Sequence, residues 1–303
     1  MPQASASTGD TPIRLERILF ATDFSPTSAM ALPYAAAIAR RFGASIYVVH
    51  VIPAEEYAHM APEQLNRTLQ EKKQAAENRI AAWLASSHFK NIPFQVILAH
   101  GDPMAVTSAL VDEHSIDLIV AGSHGRHGLH KLLAPSMDEA IARAAACPAL
   151  LIGPQAAIEP EAEVHLQRIL FATDFSPHSR RAMEYAYALA KAHQAQLYVF
   201  HVAEDVWKEP LSTRMSADAF CRMRLLENDL PQSQRGIEAE FLVEFGPPEA
   251  LILEAAERRG IQLLVLAVPG TTHPHLASHL PGPLAYNLAS HALCPVLAVR
   301  STA

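Results

Sequence analysis

The sequence predicts an α/β fold built twice: two repeated open-sheet domains, each a five-stranded parallel, doubly wound sheet with helices on both faces. Three observations predict it. First, the decamer RILFATDFSP stands at Arg17–Pro26 and again at Arg168–Pro177. Second, the 151-residue offset holds onward for Tyr34 and Tyr185, Tyr47 and Tyr198, and His50–Val51 and His201–Val202; a Cys-Pro pair closes each repeat at Cys147–Pro148 and Cys294–Pro295. Third, short apolar runs alternate with helical periodicity in both repeats, the pattern of parallel strands joined by crossover helices.

The elements of the first repeat follow in order. Arg17–Thr22 is short and apolar enough for a buried strand. Ser25 and Pro26 supply an N-cap and a first-turn proline, and Gly43 suits the C-cap of the Ala-rich helix between them. Ser45–Ile52 is a β-branched strand. Pro62–Ser87 carries Leu65, Leu69, Ala76, Ile80, Trp83 and Leu84 at helical spacing. Phe94–His100 is the third strand, and Asp102–Pro103 opens the next helix in the same cap-then-proline style. Ile116–Ala121 is the fourth strand, Ser136–Ala146 a helix and Ala149–Ile152 the fifth strand. The second repeat follows this scheme with a shorter second helix near Ser216–Asp229. A period of this length is a domain rather than a solenoid unit. The expected organisation is a disordered arm at 1–12, a first domain at 13–153, a linker at 154–166 and a second domain at 167–303.

Composition excludes several function classes. The chain has 303 residues, half of them apolar, and a formal net charge of −7. A phosphate-backbone partner favours a basic surface, so no nucleic-acid partner is expected. Met1–Pro12 has no apolar core of a signal peptide, and no apolar stretch is long enough to span a bilayer, so no membrane partner is expected. Cys147, Cys221 and Cys294 are odd in number and widely spaced, which implies neither a disulfide framework nor a zinc cluster. A reducing cytoplasm fits.

In an open parallel sheet, ligands sit beyond the carboxyl ends of the strands at the switch point. Two loops of the first repeat reach that place. One holds Asp23, just past the first strand. The other is GSHGRHG, Gly122–Gly128, just past the fourth, whose glycines let backbone N–H groups approach a phosphate. Ser136 then starts a helix, and a helix N-terminus attracts anions. A carboxylate at one lip and a phosphate cradle at the other suit a nucleoside phosphate.

The chain resembles a tandem universal stress protein. The residues that carry the resemblance are ATDFS at 21–25, HVI at 50–52, GSHG at 122–125 and CP at 147–148, and it extends over both repeats. It implies strand order 3-2-1-4-5 in each domain and a cytosolic stress-response protein that binds ATP or another adenine nucleotide, with Mg²⁺. It further implies a contact set of Ala21, Thr22, Asp23, Val51, Ala121, Gly122, His124, Gly125, Pro135, Ser136, Met137 and Asp138. Asp23 and Val51 would lie near the adenosine, the Gly122–Gly125 loop along the ribose and phosphates, and Ser136 at a terminal phosphate. The chain departs from the family pattern twice. Pro135 stands at the third glycine position and supplies no N–H. Asp138 stands where binders carry Ser or Thr, and repels a γ-phosphate unless Mg²⁺ bridges the two. The resemblance also implies that the last strands, Ala149–Ile152 and Val296–Val299, pair as an internal pseudo-dimer, with a homodimer as further assembly.

The second repeat keeps Asp174 but replaces the glycine loop with AVPGTTHPH at Ala267–His275; Gly282 keeps the third glycine position and Pro283 replaces the hydroxyl. No bound triphosphate is expected there. The aspartates have a second reading, in which Asp23 and Asp174 order the turn and cap the helix. His124, His127 and His130, and His273, His275 and His279, fit no zinc spacing, so no metal site is expected. His50 and His201 are read as buried, hydrogen-bonded residues, and Cys147 and Cys294 as packing residues. No nucleophile elbow or general base is legible, so at most slow ATP hydrolysis is expected and no catalytic residue is assigned. A nucleotide-free scaffold with both pockets vestigial is the alternative.

Overall fold

Ten short apolar runs form strands: β1 (Arg17–Ala21), β2 (Ser45–Pro53), β3 (Phe94–Gly101), β4 (Leu118–Gly122), β5 (Ala149–Ile152), β6 (Arg168–Thr173), β7 (Gln196–Ala203), β8 (Ala239–Phe245), β9 (Leu263–Val268) and β10 (Val296–Arg300). The described helices are α1 (Pro26–Phe42), α2 (Pro62–Leu84), α3 (Pro103–Glu113), α4 (Ser179–His193), α5 (Glu209–Asn228), α6 (Pro248–Arg258) and α7 (Pro283–His291). The structure is a computed structural model and describes residues 13–53, 60–85, 89–122, 147–156, 158, 163–203, 209–232, 236–268 and 283–300. The arm at 1–12, the helix read at Ser136–Ala146, both histidine clusters and Gly270 and Gly282 lie outside the described residues.

The helix ends are written in the residues beside them. Ser25 accepts a hydrogen bond from the Ser28 N–H at 3.1 Å, with Pro26 in the first turn, and Gly43 closes α1 in the left-handed region at φ 68°. Asp102 caps α3 in the same way, accepting from the Ala105 N–H at 2.8 Å. The second repeat deviates twice. Its first helix starts at Ser179, two residues later than α1 does in register, after His178 in helical backbone with no side-chain cap. Its second helix starts at Glu209, seven residues before the sequence reading, with Pro210 in the first turn where a missing N–H costs nothing.

The strand order is β3-β2-β1-β4-β5-β10-β9-β6-β7-β8. Each half is wound 3-2-1-4-5 and is parallel throughout. The halves meet where β5 and β10 pair antiparallel, with Val296 opposite Leu151, Leu297 opposite Leu150 and Ala298 opposite Ala149. Strands covered on both faces read as continuous apolar runs, and β4, β5 and β10 are buried along their whole length. The outermost β3 is only half-buried.

Strand alternation divides the core into two layers. Ile18, Phe20, Ile46, Val48, Leu118 and Val120 pack with α1, α2, α4 and α5 on one face. Leu19, Ala21, Val49, Val51, Ile119 and Ala121 pack with α3, α6 and α7 on the other. Both layers run through both halves. The chain leaving β5 is tightly seated as well. Gly153 lies so close to α7 that a Cβ there would stand 1.7 Å from the Ala289 carbonyl oxygen. Ala156 is buried, and its carbonyl accepts a hydrogen bond from the Tyr34 hydroxyl at 3.0 Å. Within the stretch read as a linker, Ala156 is therefore packed against the fold.

Candidate functional site

The turn after β1 is built by its own short side chains. Thr22 is buried; its N–H donates to the Val49 carbonyl at 2.9 Å and its Oγ1 accepts from the Phe24 N–H at 3.0 Å. Asp23 Oδ1 accepts from the Ser25 N–H at 2.8 Å. These two bonds fold the backbone tightly enough that Phe24 sits at φ 62°. A bulky residue in the left-handed region is strained and persists only where its surroundings fix it. Here the ring is held by His50 at 4.5 Å, Trp83 at 5.4 Å and the Arg79 guanidinium at 5.5 Å.

The second half repeats the arrangement. Thr173 Oγ1 accepts from the Phe175 N–H at 3.1 Å, Asp174 Oδ1 accepts from the Ser176 N–H at 2.9 Å, and Phe175 sits at φ 60°. His201 and Arg222 flank its ring at 4.3 Å and 5.6 Å. One bond differs. Ser179 Oγ donates to Asp174 Oδ1 at 2.9 Å, whereas the equivalent Ser28 Oγ donates to the Ser25 carbonyl at 3.0 Å. Burial pushes the Asp174 carboxyl up, but hydrogen bonds from Ser176 and Ser179 outweigh it and hold the group below the ordinary carboxylate range.

The histidines ending β2 and β7 are partly buried and bonded to backbone. His50 Nδ1 lies 2.8 Å from the Thr22 carbonyl, and His201 Nδ1 lies 2.8 Å from the Thr173 carbonyl. A carbonyl only accepts, so Nδ1 carries the proton and Nε2 is the acceptor of the neutral ring. Burial lowers the pKa of His50, the largest of its influences.

The sheet gathers the residues read from the sequence as far as it describes them. Ala21 pairs with Val49 on one side and with Ala121 on the other, so Thr22 and Asp23 follow β1 directly beside Gly122 at the end of β4. Val51 stands at the same carboxyl edge on β2 and is buried. Ala21, Val51 and Ala121 give this edge an apolar floor, Asp23 is exposed at its lip, and Gly122 leaves it without a side chain. His124, Gly125, Pro135, Ser136, Met137 and Asp138 lie outside the described residues.

The corresponding place in the second half is a crevice of about 570 Å³, lined by Thr173, Asp174 and His201 at one end and by apolar residues of β7, β9, α5, α6 and α7 elsewhere. Among the described residues, no group of three or more His, Cys, Asp or Glu is placed to hold a metal, and no helix is long and apolar enough to cross a membrane. Cys147 and Cys294 are buried, and burial pushes both thiols up to about 12, so they pack as neutral groups.

Sequence reasoning missed the stack of Phe24 on Trp83 and Arg79. The decamer contains the phenylalanine, but no sequence signal marks its backbone as left-handed. Arg79 and Arg222 escape notice because they sit 143 residues apart, off the main offset.

The model of the universal stress protein family matches residues 14–153 and again residues 165–300. The chain belongs to the universal stress protein family. Universal stress protein MJ0531 of Methanocaldococcus jannaschii is 27% identical over 145 residues, which is 45% of this chain and 81% of that protein. The crystal structure of a universal stress protein from Archaeoglobus fulgidus superposes with a TM-score of 0.73 over 95% of this chain and 99% of that one, at 22% identity, a likeness of fold. A further solved universal stress protein, in complex with cAMP, is 22% identical and covers 45% of this chain and 98% of its own, with a TM-score of 0.37.

Proposed function

We propose that this universal stress protein is a cytosolic stress-response binding module whose first half takes ATP, ADP or AMP and whose second half takes no nucleotide. The single observation that carries this reading is the adjacency of the Asp23 turn and Gly122 at the carboxyl ends of neighbouring strands β1 and β4. The described residues fit a nucleoside. The apolar floor of Ala21, Val51 and Ala121 suits a base, the Asp23 carboxylate suits ribose hydroxyls, and Gly122 opens the wall toward the phosphates. Thr22 holds the turn. His124, Gly125, Pro135, Ser136, Met137 and Asp138 would complete the phosphate side, with Mg²⁺ between Asp138 and a terminal phosphate. None of the assigned residues is given the role of general base, and the output in this reading is a change of conformation or partner rather than turnover.

In this reading residues 13–153 and 167–303 are the two domains, joined by 154–166. The β5–β10 pairing makes them an internal pseudo-dimer, and a homodimer would use other surfaces. One observation favours the scaffold alternative: Asp23 already accepts the Ser25 N–H, just as Asp174 accepts the Ser176 N–H in a half without the glycine loop.

Heat denaturation of the purified protein followed by assay of the supernatant for adenine nucleotide separates the two. Nucleotide in the supernatant, or a thermal shift with Mg-ATP that is lost in Gly125→Val and Ser136→Ala, supports the binding module. Neither nucleotide nor a shift leaves the scaffold. Turnover lost in the same variants would make the protein an enzyme.

A further inference from the structure

We propose that the crevice of the second half is a binding site for an uncharged amphiphile, a molecule with an apolar body and a hydroxyl or amine donor at one end. Its volume of about 570 Å³ lies within the range of small-molecule sites.

The lining gives the chemistry. Eleven of its fourteen residues are apolar, among them Phe200, Met215, Ile252, Leu266, Leu284 and Leu288, and none is Lys or Arg. The polar end presents acceptors. Asp174 is a carboxylate, and His201 has committed its Nδ1 proton to the Thr173 carbonyl, leaving Nε2 as an acceptor. The Thr173 Oγ1 is itself engaged by the Phe175 N–H. An anionic head meets a negative group with no Lys or Arg among the described lining residues to offset it. A hydroxyl or amine finds a partner.

Comparison within the chain sharpens the point. Strand pairing fixes which positions correspond: Ile46 pairs with both β1 and β3 as Leu197 pairs with both β6 and β8, and Ala21 stands opposite Ala121 as Ala172 stands opposite Leu266. In that register the first half carries Val49, Thr107, Ala121 and Gly122 where the second carries Phe200, Ile252, Leu266 and Ala267. All four changes add apolar bulk or remove a hydroxyl; a fifth, Ala203 in place of Ile52, removes bulk and widens the space beside them. Loss of the glycine loop alone would leave a vacant nucleotide pocket. Instead the floor itself has become greasier, which raises the gain from burying an apolar body by about 25 cal/mol per Å² of surface covered.

The probe is N-phenyl-1-naphthylamine, uncharged and carrying one N–H donor, titrated into the full chain by fluorescence. Saturable enhancement at one dye per chain is expected, unmoved by excess Mg-ATP. Ala172→Phe, which fills the crevice, and Leu284→Glu, which charges its wall, each weaken the dye roughly tenfold or more, with folding checked by thermal melting. In competition, 1-decanol displaces the dye at roughly tenfold lower concentration than decanoate, since the two share a chain and differ in the charge of the head. Absence of saturable binding overturns the proposal. So does binding that both variants leave intact, decanoate competing as well as decanol, or displacement by Mg-ATP. The outcome is independent of nucleotide binding in the first half, which is read by different variants.

Discussion

Gly153→Ala tests how the two halves are fitted together. The added Cβ would stand 1.7 Å from the Ala289 carbonyl oxygen and 2.9 Å from its carbon, where side chains essentially never come closer than 3.0 Å. About 1.3 Å of separation has to be found. The obstacle is helix backbone in α7, not the end of a pliable side chain. Its surroundings give little room, since Ile152, Leu288 and Ala289 are fully buried. Overpacking of this kind costs about 1–3 kcal/mol. The sign is what makes the test sharp. Gly153 is not in the left-handed region, so by backbone entropy alone an alanine would stabilise the protein by about 0.4–1 kcal/mol. The expected net is a loss of about 1–1.5 kcal/mol, read as a fall of roughly 2 °C in the melting midpoint of a 303-residue chain and a lower urea midpoint. An alanine variant as stable as the parent, or more stable, would refute the close approach of the β5 end to α7.

Two further outcomes follow from buried polar groups. His193, at the end of α4, has its pKa pushed down to about 4, by burial first and then by the charge of Arg41 on α1. The unfolded chain takes up this proton near pH 6.5 and the folded chain does not until about 4. Stability is therefore complete above 6.5 and is lost as pH falls through that window. The ring is only partly buried, so solvent screening trims the effect to about 1–2 kcal/mol; His193→Leu should flatten the melting midpoint between pH 7 and pH 5 relative to the parent. Asp174→Ala removes the acceptor for both the Ser176 N–H and the Ser179 hydroxyl, and should cost about 1–2 kcal/mol by thermal melting at pH 7. Because the Asp174 pKa is lowered on folding, this loss should shrink as the parent is itself protonated below about pH 4.

Helix ends and strand cores were legible in the sequence because each depends on one or two neighbouring residues. Ser25 with Pro26, Gly43, and Asp102 with Pro103 mark boundaries that the structure keeps within a residue or so. The apolar runs at Ala149–Ile152 and Val296–Val299 carry their own burial. What depends on pairing across the sheet was not legible. The shape of the second crevice comes from Phe200 on β7, Leu266 on β9 and Leu284 on α7 converging, residues that are adjacent only once the order β7-β6-β9 is set. The loop letters there register the loss of glycines, and nothing local registers the apolar space that took their place. Phe24 is a further case. Its left-handed backbone is imposed by the bonds of Thr22 and Asp23 and by a ring cage drawn from β2 and α2.

The duplicated decamer separates what the fold needs from what a ligand needs. Both halves keep the Thr-Asp-Phe-Ser turn with the same strained phenylalanine, the same histidine under it and an arginine over it. Only the first keeps the full glycine loop past its fourth strand, of which the second retains Gly270 alone. A feature retained in both halves, beside two differently surfaced strand ends, belongs to the turn before it belongs to any bound molecule. The aspartate orders the crossing from strand to helix at the place where the sheet opens, and so stands at the carboxyl edge of the sheet in each half. The halves differ on the neighbouring strand, where Ala121–Gly122 in β4 has Leu266–Ala267 in β9 as its counterpart. In the two readings proposed above, one side chain larger at each of those positions turns an edge open toward phosphates into a wall for hydrocarbon.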